Sequence, residues 1–328
     1  MGLFLKGLLG NKPICLISPR KKKLKSMDWQ YFLEILFSGL TRGSIYALIA
    51  LGYTMVYGII ELINFAHGEI YMLGAFTAFI VAGILGTMGF SASAILIIAA
   101  FVAIVWCTAY GYTMEKIAYK PLRGQSRLAP LISAIGMSIF LQNYVQLAQT
   151  AEFLRFPIRM PRIEFLDIFG GILRSSDFVI LVTSAIIMVC LSLFIRYTKL
   201  GKAMRATAQN RKMAMLLGID ADKIISLTFI IGSGLAALGG TLIATHTMQV
   251  GFGIGFIAGM KAFTAAVLGG IGSIPGAMLG GLVLGLAESF TTGYFAGDYE
   301  DVLAFVLLVM ILIFRPVGIL GKAKVQKV

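Results

Sequence analysis

The chain has 328 residues, 58% hydrophobic and 13% charged, with a mean hydropathy of +0.89, far from the roughly 45–50% apolar and 25% charged mix of soluble domains. That balance excludes an ordinary soluble domain. The formal charge of +13 does not mark a nucleic-acid binder either, because the bases sit in short connections between apolar runs and no basic face with aromatic readers accompanies them.

Residues 1–26 carry seven bases and no acid. The bases follow the weakly apolar Leu3–Gly10 instead of preceding an apolar core, so the segment reads as a basic cytoplasmic tail and not as a cleaved signal peptide. Met27, just ahead of the first membrane run, is an alternative start. Apolar runs at 31–60, 93–113, 128–149, 178–195, 224–244 and 276–290 approach or exceed the roughly 20 residues that cross a hydrocarbon core of about 30 Å. They are predicted membrane helices.

The connections set a predicted topology. Residues 114–127 (Lys116, Lys120, Arg123 and Arg127 against Glu115), 196–223 and 315–328 are base-rich and predicted cytoplasmic, together with the N-terminal tail. Residues 151–177 balance bases with acids, 292–301 carry only Asp298, Glu300 and Asp301, and both are predicted to face outside. With both termini inside, residues 31–113 must cross an even number of times. The 31–60 run, interrupted at Gly39, Gly43, Gly52 and Gly58, reads as two shortened crossings, and the sum is ten, or eight if one run is re-entrant. The expected fold is an all-α polytopic membrane protein with a membrane domain over 27–318 and a basic cytoplasmic tail over 319–328.

Of 38 glycines, several form small-xxx-small pairs suited to close helix packing: Gly39/Gly43, Gly255/Gly259, Gly276/Gly280 and Gly281/Gly285. The run Gly269–Gly276 is expected to break helix at membrane depth, where irregular backbone is tolerated only inside protein or beside a water-filled cavity.

Cys15, Cys107 and Cys190 are odd in number and scattered, and His67 and His246 stand at no zinc-ligand spacing, so neither a disulfide framework nor a metal site is expected. Gly201-Lys202 and Gly321-Lys322 lack the upstream glycine of a phosphate-binding loop. If ATP drives this protein, another chain binds it, and no cofactor is expected here. The cytoplasmic stretch Thr198–Asp220 favours helix, with Leu200, Met204, Ala208 and Met215 near one face, Lys202, Arg205 and Lys212 elsewhere, and Gly218 able to end it. It is either a basic helix resting on anionic lipid or a docking helix for a cytoplasmic partner. Glu61, Asn64, His67 and Glu69 place polar groups between apolar runs, where they mark a pathway, a proton relay, a packing anchor or a solvated turn. Lys261 and Glu288 are candidate intramembrane charges and possible partners.

Gly43–Gly58, Ile63–Met72, Leu131–Tyr144 and Met260–Met278 closely resemble the LivH-type permeases of bacterial branched-chain amino acid ABC importers, and the resemblance runs from about Met27 to the end. It implies a type II importer fold in the bacterial inner membrane and a pore shared with a LivM-like second permease. It also implies two ATPases (LivG- and LivF-like) that use ATP, and a periplasmic binding protein delivering leucine, isoleucine or valine. It makes 197–223 the coupling loop, with Gly201, Arg205, Ala206, Ala208, Asn210 and Gly218 as candidate ATPase contacts, although a strict Glu-Ala-Ala triplet is missing. Asn64, His67, Glu69, Lys261 and Glu288 are the candidate pathway residues. Related permeases carry urea or amides, and an ion-coupled transporter or channel relaying protons through Glu61, His67, Glu69 or Glu288 is the rival. No nucleophile, base and orienting group converge as an enzyme would require.

Overall fold

The computed structural model describes residues 29–60, 62–123, 125–126, 128–161, 164 and 173–321. The basic tail over 1–26, Met27, Glu61, Arg127 and residues 322–328 lie outside the described residues. Eleven helices follow in order: α1 (Trp29–Ile60), α2 (His67–Thr87), α3 (Ala92–Met114), α4 (Leu128–Ala148), α5 (Ser175–Tyr197), α6 (Lys199–Gln209), α7 (Arg211–Leu216), α8 (Ala221–Thr247), α9 (Ile254–Gly269), α10 (Ile274–Tyr294) and α11 (Glu300–Phe314). Seven are long and apolar enough to cross a membrane. α9 and α11, at 16 and 15 residues, are shorter apolar helices.

α1 departs from expectation. It is one helix of 32 residues, about 48 Å at 1.5 Å per residue, and not two shortened crossings. Its glycines fail to break it because they are notches for a neighbour. A Cβ on Gly43 would lie 2.8 Å from Leu282 Cα, and one on Gly281 would lie 2.5 Å from Ala47 Cα, so α1 and α10 meet backbone to backbone. The other paired glycines act alike: Gly255 and Gly259 close on Gly68, and Gly276 and Gly280 close on α9.

Residues 29–114 therefore make three helices where parity predicted an even number, and the described residues hold seven helices long enough to cross a membrane with the two shorter apolar ones beside them. α1 runs antiparallel to α10, with the Tyr31 hydroxyl donating to the Gly293 carbonyl at 2.8 Å and Gly58 beside Gly272. Trp29 thus starts at the end of the bundle opposite α6 and α7. At that latter end Ile319 and Leu320 donate to the carbonyls of Leu268 and Gly269, each at 2.9 Å. The described chain begins at Trp29 and ends at Gly321 at opposite ends of the bundle, while the tails on which the expected same-side termini rest lie outside the described residues. The parity count rested on the tail over 1–26, which lies outside the described residues.

The other groupings hold. The described parts of 114–127, 196–223 and 315–321 gather at one end, and 151–161 and 292–301 lie at the other. There β1 (Leu154–Arg155) pairs antiparallel with β2 (Gln249–Val250). The Gly269–Gly276 break is the turn between α9 and α10, at the same end of the bundle as α6, with Gly270 and Gly272 at φ +106° and +90° and Ser273 capping α10.

Candidate translocation cleft and coupling surface

The α6–α7 hairpin hangs outside the membrane bundle, and each bend has a local cause. Thr198 caps α6 by accepting from the Gly201 amide at 3.0 Å, and Asn210 caps α7 by accepting from the Met213 amide at 3.0 Å. Gly201 is where α6 folds back on α5, since a Cβ there would lie 2.5 Å from Ile195 Cα. Gly218, at φ +81°, ends α7 in a left-handed turn closed by the Ile219 amide on the Ala214 carbonyl at 3.0 Å. The predicted single helix is therefore two, and its faces differ from expectation. Gly201, Met204 and Thr207 are buried, whereas Leu200 and Met215 are exposed.

Two features make this hairpin a plausible lever. Met204, Arg205 and Ala208 line a small cleft of about 80 Å³ with Thr54, Met55 and Gly58 of α1 and Ile195 of α5. At the end of α7, Leu216 and Leu217 stand 80% and 77% exposed. Apolar side chains that bare, beyond the membrane helices, mark a binding surface.

A charge cluster that the sequence reading left unassembled ties the hairpin to the bundle. α3 ends in a π-turn (Glu115–Tyr119) and a 3₁₀ turn (Lys120–Leu122), and this connection returns Arg123 onto Glu115, with which it forms an ion pair. Glu115 is fully buried and also accepts from Ser226 Oγ at 2.8 Å. Arg123 further reaches Asp222 at 2.8 Å, and Asp222 receives Arg211, the first residue of α7, at 2.8 Å. Neighbouring Asp220 caps α8; the amides of Lys223 and Asp222 and the Lys223 side chain hold its carboxyl below the ordinary carboxylate range.

Asn64, His67 and Glu69 do not form a solvated turn. They are 2%, 1% and 0% exposed, at the start of α2 inside the bundle. Tyr119 donates to Asn64 Oδ1 at 2.6 Å, Ser138 donates to Glu69 Oε1 at 3.0 Å, and the His67 ring fills the notch left by Gly52 and stands edge-on to Tyr53 at 4.8 Å. Lys261 and Glu288, by contrast, do meet, at 3.3 Å. Lys261 also holds Glu300 at 2.7 Å and Asp301 at 2.8 Å, Tyr46 donates to Glu288 Oε2 at 2.9 Å, and Arg42 pairs with Glu300 at 2.9 Å. This cluster borders a cleft on the outer half of the bundle. Arg42 and Tyr46 lie one helical turn apart on α1, a signal the sequence reading passed over inside an apolar run.

Nine apolar helices around a buried polar seam, with a basic hairpin projecting from one end, are the architecture of a polytopic membrane permease subunit. A family model described as branched-chain amino acid transport system / permease component matches residues 35–312, and the chain belongs to that family. It is 49% identical over 307 residues to the high-affinity branched-chain amino acid transport system permease protein LivH of Escherichia coli (strain K12), covering 92% of this chain and 100% of that protein. It is 52% identical over 303 residues to the permease protein BraD of Pseudomonas aeruginosa, covering 91% and 98%.

Proposed function

We infer that the chain is one membrane subunit of an ATP-driven importer of leucine, isoleucine and valine in a bacterial inner membrane. Its partners in this reading are a second permease, two cytoplasmic ATPases that use the ATP, and a binding protein on the outer side. The observation that carries it is the α6–α7 hairpin, whose apolar tip is free to dock while Arg205 and Ala208 touch the inner end of α1. Gly201, Asn210 and Gly218 shape the hairpin, Ala206 and Ala208 let it approach the bundle, and Arg205 joins it to the α5 end through the Arg196 carbonyl at 3.2 Å. A ligand moves a conformational equilibrium only by contacting its states unequally, and a lever between ATPase and α1 supplies that difference.

Base-rich connections support a cytoplasmic hairpin, and in this reading Trp29 starts on the outer side. Lys261 and Glu288 border the pathway; Asn64, His67 and Glu69 hold α2 against α1, α4 and α8. Liposomes containing both permeases and both ATPases, supplied with the binding protein, are expected to take up leucine, isoleucine and valine only with ATP. Uptake that survives removal of the ATPases and collapses with the proton gradient would instead establish an ion-coupled transporter, and preference for urea or amides would redirect the cargo.

A further inference from the structure

The cleft on the outer half of the bundle has a volume of about 490 Å³, within the roughly 300–1,000 Å³ of small-molecule sites. Arg42, Ile45 and Tyr46 of α1 form one wall, Ile243 and His246 of α8 another, and Glu300 at the start of α11 closes it. A guanidinium and a carboxylate thus stand 2.9 Å apart, with branched aliphatic side chains beside them. We propose that this cleft receives a zwitterionic α-amino acid with an aliphatic side chain: its carboxylate on Arg42, its ammonium on Glu300, and its side chain on Ile45 and Ile243. The proposal rests on the import reading above and deepens it.

Three observations favour a ligand role over a purely structural one. Arg42 is thirteen residues into α1, about 20 Å from its outer end, where a charge is costly and marks a solute pathway by default. Its guanidinium is also less occupied than the ammonium behind it, since Arg42 pairs with Glu300 whereas Lys261 reaches Glu288, Glu300 and Asp301. Both partners stay accessible, with side chains 32% and 22% exposed. Arg42 also faces a second cleft of about 160 Å³ with Glu34, Ser38 and Ser289. Glu34, Ser38, Arg42 and Tyr46 recur every four residues and so form one polar edge of α1, a track from the outer end to the cleft. An apolar groove beside Pro161, of about 410 Å³, is lined by no ionisable side chain among the described residues and offers a zwitterion little.

The test uses the assembled importer with Cys15, Cys107 and Cys190 replaced by alanine and the single substitution Ile243→Cys. The rate at which a methanethiosulfonate reagent modifies the introduced thiol is measured with L-leucine, with L-leucinol, which lacks the carboxylate, and with 4-methylpentanoate, which lacks the ammonium. Leucine at ten times its dissociation constant is expected to slow modification roughly tenfold, the two analogues are expected to do little, and Arg42→Gln is expected to abolish the protection. The leucine comparison within one variant stands even if Arg42→Gln folds poorly. Equal protection by all three compounds, or none in an importer that takes up leucine, overturns the cleft. An importer that takes up no leucine while protection persists overturns the cargo reading instead.

Discussion

Arg123 and Arg211 hold the same oxygen of Asp222, each at 2.8 Å, although one belongs to the connection after α3 and the other opens α7. One carboxylate thus joins the α6–α7 hairpin to α8 and to the connection after α3. Asp222→Ala should leave stability within roughly 1 kcal/mol, because the side chain is 41% exposed and partly screened. Leucine uptake should nevertheless fall by roughly fivefold or more while the assembled ATPases continue to hydrolyse ATP, in line with coupling energies of about 1–3 kcal/mol. Uptake and hydrolysis measured side by side in liposomes decide it: a parallel fall of both would mean lost assembly, not lost coupling.

Lys261 and Glu288 make an asymmetric pair. Lys261→Met would leave the fully buried Glu288 with Tyr46 as its remaining hydrogen-bond donor, and a stranded buried charge costs roughly 3–5 kcal/mol. Adding Glu288→Gln to Lys261→Met should restore part of that loss. Thermal unfolding in detergent should therefore rank the double variant above Lys261→Met alone; the reverse order would refute the pairing.

The glycines of α1 and α10 predict a contrast within one residue type. A Cβ on Gly285 would collide with the Gly43 backbone, whereas one on Gly83 of α2 meets nothing within 4 Å. Gly285→Ala should lower stability by roughly 1–3 kcal/mol, and Gly83→Ala should be neutral or raise it by roughly 0.5–1 kcal/mol through helix propensity. Equal melting temperatures for the two would show that α1 and α10 do not pack this closely.

Leu216→Ser with Leu217→Ser should weaken capture of the ATPases without altering the melting temperature of the isolated chain, because both side chains contact little of it at 80% and 77% exposure. Co-purification of the ATPases with tagged permease reads the effect. Undiminished capture would place the docking surface elsewhere on the hairpin.

Composition and run length were enough to locate most of the membrane helices, since hydrocarbon demands about 20 apolar residues whatever the tertiary partners. The hairpin was legible from its base content, but its break at Asn210 was not, because a cap depends on a local turn that a helix-favouring composition conceals. The split of residues 31–60 into two crossings misled because glycine spacing looks the same whether it ends a helix or lets another helix approach; Gly43 does the second. Lys261 and Glu288 could be guessed as partners, whereas the meeting of Glu115, Arg123, Asp222 and Arg211 needed the fold, being drawn from segments far apart in the chain. Arg42 was hidden by its neighbours, sharing a long apolar stretch with Glu34 as its only other charge.

The tight crossing at Gly43 and Gly285 falls near the middle of α1. Its outer half carries Arg42 and the polar edge that leads to it, and its inner half ends at Thr54 and Gly58 against the hairpin. Because α1 lies against α10 from Tyr31 beside Gly293 to Gly58 beside Gly272, the two would tilt as one body when α6 pushes the inner end. Opening on one side and closing on the other would then be a single tilt of that pair, with no separate gate required at either face.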